Sequence, residues 1–221
     1  MKISSKLFKL IQRKRHSAGF GVHSPFAFNL IRDTIHTPYS FYIYKENREK
    51  IKRAKLLNKA DIKYAELLFR LINRFNAKDI LEIGSGCGIN TLYIIAHSQK
   101  TKVWCIEKDD EKRKIARNLL KNNTRVCFLD ELPKETSLFD AIVWDIQSYS
   151  DNLEKLLKLI PDLIREEGFV VINHINKSSV NRNAWQDILK TDALTMSFDL
   201  GSTGIGFFKS SLPKINYDIS F

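Results

Sequence analysis

From Lys78 onward, short apolar runs alternate with polar stretches of helical period, and this alternation is the dominant pattern of the chain. It predicts strands at 79–83, 102–107, 125–129, 140–145, 168–173, 194–199 and 205–209, and helices at 90–97, 110–121, 150–165 and 179–190. Strands and helices taking turns through short connections argue for an α/β protein with a parallel sheet covered on both faces. Gly201-Ser-Thr-Gly204 joins the last two strands as a tight turn, so that pair is expected to be antiparallel. The expected sheet is seven-stranded and mostly parallel, with one antiparallel strand.

The first third reads differently. Residues 1–15 form a basic amphipathic pattern, with Ile3, Leu7, Leu10 and Ile11 on one face and lysines on the other. Such a helix suits a membrane surface, nucleic acid, a homodimer contact or simple docking on its own domain. Ser24 and Pro25 fit the N-cap and first turn of a helix through Phe28, Leu30 and Ile31. Lys45 to Lys63 is charge-rich and reads as a helix or a linker. Tyr64 to Phe75 has helical spacing at Leu67, Leu68, Leu71 and Ile72. The organisation expected is a basic N-terminal helical segment over 1–63 followed by a ligand-binding domain over 64–221.

The most informative stretch is Ile80-Leu-Glu-Ile-Gly-Ser-Gly-Cys-Gly-Ile-Asn90. It reads as a buried strand, a turn with glycine at 84, 86 and 88, and a helix. Glycines let the backbone approach a ligand, and a helix N-terminus offers free N–H groups. The order Glu82-x-Gly84-x-Gly86-x-Gly88 is not the G-x-G-x-x-G of dinucleotide sites, and no Gly-Lys-Ser/Thr follows for a triphosphate. Lys102-Val-Trp-Cys-Ile-Glu107 is a second strand ending in a carboxylate, which can accept hydrogen bonds from both hydroxyls of a ribose.

These features together resemble the class I S-adenosylmethionine-dependent methyltransferases, whose Rossmann-like, doubly wound fold has an acid before Gly-x-Gly-x-Gly and an acid closing the next strand. The resemblance implies that S-adenosyl-L-methionine is the cofactor. It assigns Gly84, Ser85, Gly86 and Gly88 to the cofactor's methionine part, Glu82 to its amino-acid end, and Glu107 with Lys108 to the ribose. Asp130 and Glu131, closing the third strand, fall where such enzymes often contact adenine. Phe139-Asp-Ala-Ile-Val-Trp-Asp145 looks like the fourth-strand motif beneath the transferred methyl. In the catechol-type O-methyltransferases an acid there and an Asp-Asn pair hold a divalent ion. Asn173-His174 stands at the Asp-Asn place, one carboxylate short, so no metal site is expected. Asp145 and His174 are the candidate catalytic residues, because a free imidazole titrates near neutrality.

Gly21-Val-His-Ser-Pro-Phe26, Tyr64-Ala-Glu-Leu-Leu-Phe-Arg70 and the tail Phe198-Asp-Leu-Gly … Gly204-Ile-Gly-Phe-Phe208 further resemble O-methyltransferase-like proteins of Bacteroidetes-type bacteria. The His23-Ser24-Pro25-Phe26 region is expected to fold over the cofactor end of the sheet as part of the substrate wall, with His23 a substrate-side residue.

Composition narrows the function classes. Of 221 residues 43% are hydrophobic and 28% charged, as in soluble globular proteins. No apolar run approaches the ~20 residues of a membrane span. Three cysteines without C-x-x-C spacing fit a reduced, cytoplasmic protein, with Cys105 and Cys127 expected as buried strand residues. Residues 1–76 carry 17 Lys/Arg against 5 Asp/Glu, and residues 77–221 carry 19 against 20. The basic character thus belongs to the N-terminal third and reads as a partner signal. Three functions fit: a methyltransferase acting on a small-molecule acceptor, an RNA-modifying methyltransferase, and a cofactor-binding protein with little or no catalytic activity.

Overall fold

The computed structural model describes residues 13–133, 138–148 and 153–221. The amphipathic pattern of 1–15 therefore lies almost wholly outside the described residues. Helical structure at 13–17 leads to α1 (Pro25–Leu30), continued by a π-helical turn at Ile31–Ile35. Ser24 caps α1 as its sequence predicts, accepting a hydrogen bond from the Ala27 amide.

Two longer helices follow, α2 (Tyr42–Arg53) and α3 (Lys59–Phe75). The charge-rich stretch is thus largely helical, because Tyr44, Asn47 and Ile51 recur at helical spacing and are buried. Helix α3 starts at an Asn58 cap and stops at Asn76, which takes the left-handed conformation at its C-terminus. It runs unbroken across 63/64 and buries Leu67, Leu68, Leu71 and Ile72 completely. Each such side chain contributes about 1.5–3 kcal/mol.

The alternating part is β1 (Asp79–Ile83), α4 (Ile89–Ile94), β2 (Lys102–Ile106), α5 (Asp110–Leu119), β3 (Val126–Leu129), β4 (Phe139–Asp145), α6 (Leu153–Leu163), β5 (Ile164–Asn173), α7 (Ser179–Lys190), β6 (Met196–Asp199), β7 (Thr203–Phe208) and β8 (Ile215–Asp218). The sheet has eight strands in the order β3-β2-β1-β4-β5-β7-β6-β8, which corrects the expected seven. Strand β7 runs antiparallel to β5 and β6, while β8 adds parallel to β6. The eighth strand escapes a sequence reading because only four residues form it and only Tyr217 among them is buried.

Alternate strand residues feed two cores. Ile80, Val103, Cys105, Ala141, Val143, Phe169 and Val171 pack with α3 and α4 on one face. Leu81, Ile83, Ile142, Trp144, Val170 and Ile172 pack with α6 and α7 on the other. Cys105 is buried as expected, but Cys127 is exposed, because β3 is an edge strand.

The chain moves outward from β1 to β3 and then crosses back to β4. The strand order therefore reverses between β1 and β4, and a crevice opens there beyond the carboxyl ends of the strands.

Candidate functional site

At that reversal a cavity of about 140 Å³ is lined by Asp61, Tyr64, Gly84, Ser85, Gly86, Cys87, Ile89, Asn90, Asp145, Ser148, Asn173 and His174. It gathers Gly84, Ser85, Gly86, Asp145 and His174 of the predicted site residues.

The glycine turn is built as the sequence suggests. Gly84, Gly86 and Gly88 all have positive φ. At Gly84 an added Cβ would lie 3.2 Å from the Asp145 carbonyl oxygen, so only glycine lets β1 pass this close to the end of β4. At Gly86 a Cβ would meet nothing within 4 Å, which leaves the turn open toward the cavity. Gly88 instead abuts Ala116 of α5, so its role is packing.

Glu82 sits behind the turn and does not line the cavity. Its Oε2 accepts hydrogen bonds from Thr91 Oγ1 at 2.6 Å and Cys105 Sγ at 3.7 Å, while Oε1 has no partner. Burial raises its pKa to about 7 against these hydrogen bonds. Glu107 braces the turn from β2: Oε2 accepts from the Gly86 amide at 2.7 Å and Oε1 from the Asp109 amide at 3.0 Å.

Opposite the turn, Asp145 and His174 end neighbouring strands. Asp145 Oδ1 accepts from the amides of Gln147 and Ser148 and lies 3.0 Å from His174 Nδ1. His174 is held at φ 63°, in the left-handed region that residues with a side chain adopt uncommonly. The Asp145 hydrogen bond raises the imidazole pKa above its usual value, against a desolvation effect that lowers it. Asp61, whose own carboxyl pKa burial raises, adds a second acid to this wall.

The remaining predicted residues lie elsewhere. Lys108, Asp130 and Glu131 are exposed and do not line the cavity. Asp130 pairs with Arg113 at 3.0 Å, and Arg113 Nη2 in turn donates to the Glu107 carbonyl at 2.6 Å. His23 is exposed and is not brought to the cavity. The neighbouring Phe26 stacks edge-on against Phe207 and near Phe75, beside the amino ends of the strands. Phe26 is thus placed toward the opposite edge, and neither it nor His23 lines the cavity.

Sequence reasoning missed Asp61 and Tyr64 as site residues. Their spacing of three places them on one face of α3, but nothing in their local sequence shows that the helix crosses the glycine turn.

Two of the cavity's own polar atoms, Tyr64 Oη and Ser85 Oγ, are buried without a hydrogen-bond partner. Orphaned groups of this kind cost stability unless a ligand satisfies them. With the open Gly86 and the braced Glu107, they fit the polar amino-acid end and ribose of S-adenosylmethionine.

Comparison with known proteins agrees. The sequence profile of a family described as lysine methyltransferase matches residues 40–191. No curated protein matches the chain. An O-methyltransferase from Bacillus cereus, solved with S-adenosylhomocysteine, superposes with a TM-score of 0.57 at 18% identity, covering 79% of this chain and 93% of that one. The O-methyltransferase TomG from Streptomyces achromogenes, involved in tomaymycin synthesis and solved with S-adenosylmethionine, gives 0.57 at 14% identity, covering 80% and 94%. A methyltransferase from Geobacter sulfurreducens gives 0.57 at 13%, covering 78% and 93%. At such identities these likenesses establish the fold.

Proposed function

The chain belongs to the lysine methyltransferase family and is an S-adenosylmethionine-dependent methyltransferase; from that premise we propose that it methylates a small hydroxyl-bearing acceptor, with His174 as general base. The observation that carries this reading is the Asp145–His174 pair on the wall of the cavity. Bound S-adenosylmethionine supplies an activated methyl. The protein's task is to orient the acceptor, keep water out and take up its proton.

Asp145 receives Nδ1–H of the imidazole, which leaves Nε2 free to accept the acceptor's proton. The imidazolium that forms stays beside a carboxylate, so the same contact that fixes the ring also stabilises its charged state. Gly84 and Gly86 bring backbone to the cofactor's amino-acid end, and Glu107 stands at the end of β2 to receive ribose hydroxyls. In that role Glu107 exchanges part of its present bonding to the Gly86 and Asp109 amides for the ligand.

A lysine side chain is the second acceptor reading, favoured by the family match and by Asp61, which with Asp145 makes this wall acidic enough to attract an ammonium. His174 serves there too, since the ammonium must lose a proton before attack. Incubation with labelled methyl donor and, separately, catechol, a lysine-rich protein extract and total RNA decides between acceptor classes. Label in catechol supports the first reading. Label only in protein replaces it with the second, and label only in RNA points to the basic surface of α2 and its flanks.

A further inference from the structure

We infer that Asp199 is a positioning residue for His174, acting through Arg182 and Asn176 to hold the 174–176 loop so that the imidazole faces Asp145. The inference rests on the base role given to His174 above.

Asp199 closes β6 and is 7% exposed. A carboxylate so buried persists only with charged or hydrogen-bonding partners, and it has three. Oδ1 accepts from Arg13 Nη2 at 2.8 Å and from the Gly201 amide at 2.8 Å, and Oδ2 accepts from Arg182 Nη1 at 2.5 Å. Gly201 leaves room for the first arginine, since a Cβ there would come within 3.1 Å of Arg13 Nη1.

The second arginine reaches the loop that follows β5. Arg182 Nη1 also donates to Asn176 Oδ1 at 3.2 Å, and Asn176 Nδ2 donates to the Gly201 carbonyl. The two preceding residues are pinned as well. The Ile175 amide donates to the Ser202 carbonyl at 3.0 Å, and Asn181 Nδ2 donates to the His174 carbonyl at 2.9 Å. Three consecutive residues are therefore fixed: His174 to Asn181 of α7, and Ile175 and Asn176 to the turn 199–202, which Asp199 organises through the Gly201 amide. These bonds hold the left-handed backbone of His174 in place.

The charged groups facing the imidazole are Asp145 from β4, Asp61 from α3 and Lys177 from its own loop. Asp199 is not among them, so any effect it has on His174 must travel through backbone placement. That separates a positioning role from direct electrostatics.

The test uses the full-length protein with carbon-13-labelled histidine and follows the His174 ring by NMR against pH. Asp199→Asn is expected to move its titration midpoint down toward 6.5, the ordinary value for imidazole. S-adenosylhomocysteine affinity should stay within about threefold, since the cofactor half of the cavity is untouched. If that variant fails to fold, Arg182→Gln cuts the link between Asp199 and Asn176 while leaving Asp199 its bonds to Arg13 and the Gly201 amide, and should give the same direction of shift. A folded variant of either kind whose His174 titrates as in the parent overturns the inference. Full methyl transfer by His174→Ala would instead overturn the base reading, and would leave the titration shift to be judged by itself.

Discussion

The two edges of the sheet use acidic residues in opposite ways. At the amino edge, Asp140 Oδ2 accepts from the Lys78 and Asp79 amides at 2.7 and 3.0 Å, and Oδ1 meets Arg165 at 2.5 Å. Arg165 also pairs with Asp79 at 3.0 Å. Burial opposes ionisation of Asp140, yet these donors outweigh it and hold its pKa below the usual carboxylate value. At the carboxyl edge, Glu82 Oε1, Ser85 Oγ and Tyr64 Oη are buried without partners, and His174 sits in a left-handed backbone conformation. The Asp140–Arg165–Asp79 group is paired as it stands, whereas the acids and hydroxyls around the cavity leave bonding capacity for something that is added. Stability and chemistry are thus separated across the length of the strands.

The sharpest test of that separation is at the carboxyl edge. His174→Ala is expected to lower methyl transfer by about 10²–10⁴-fold, the usual contribution of a general base. S-adenosylhomocysteine affinity by calorimetry and the melting temperature should change little. A large loss of stability with unchanged turnover would erase the contrast between the edges.

The reverse result is expected from Asp140→Ala. It leaves two strand-start amides and Arg165 without their acceptor, at a cost of about 1–3 kcal/mol in urea unfolding, with turnover of the folded protein retained. Because the Asp140 pKa is lowered, its contribution is present above the unfolded value of 3.8 and is lost as pH falls through the lower folded value. The parent's acid unfolding limb should therefore be steeper than that of the variant.

Gly86→Ala probes the turn itself. With φ at 57° and open space around the position, it should cost about 1 kcal/mol of stability and a further loss of S-adenosylhomocysteine affinity. Gly88→Ala, which meets Ala116 at 3.0 Å, should cost more stability for less specific loss of binding.

Glu82→Gln is read through its pH dependence. A carboxyl raised to about 7 favours the fold in its neutral form, fully below 4.5, and that contribution fades as pH rises through about 7. Thermal melts of the ligand-free parent between pH 4.5 and 8 should decline relative to the glutamine variant. Parallel curves would mean that Glu82 finds a partner for its second oxygen.

The strand, glycine turn and helix of the site were legible in the sequence because they are local. Strand, glycine turn and helix follow within a dozen residues, and the carboxylate of Glu107 ends the adjacent strand. The opposite wall of the cavity is not local. Asp61 and Tyr64 arrive from a helix that precedes the first strand, and Asp199 joins Arg13 across 186 positions. No periodicity records such meetings. Strand β8 was hidden for another reason: Ile215-Asn-Tyr-Asp218 lacks the apolar density of an inner strand, because it pairs along one edge only.

Helix α3 carries a consequence for altering what the enzyme accepts. Asp61 and Tyr64 ride on the same rigid rod as Leu67, Leu68, Leu71 and Ile72, none of which has any exposed surface. That wall of the cavity cannot breathe without opening the core, so loop grafting or hinge engineering on this side has nothing to act on. Acceptor preference should instead change in discrete steps, by side-chain replacement at Asp61 on this wall, since the 174–176 segment opposite is itself pinned by hydrogen bonds.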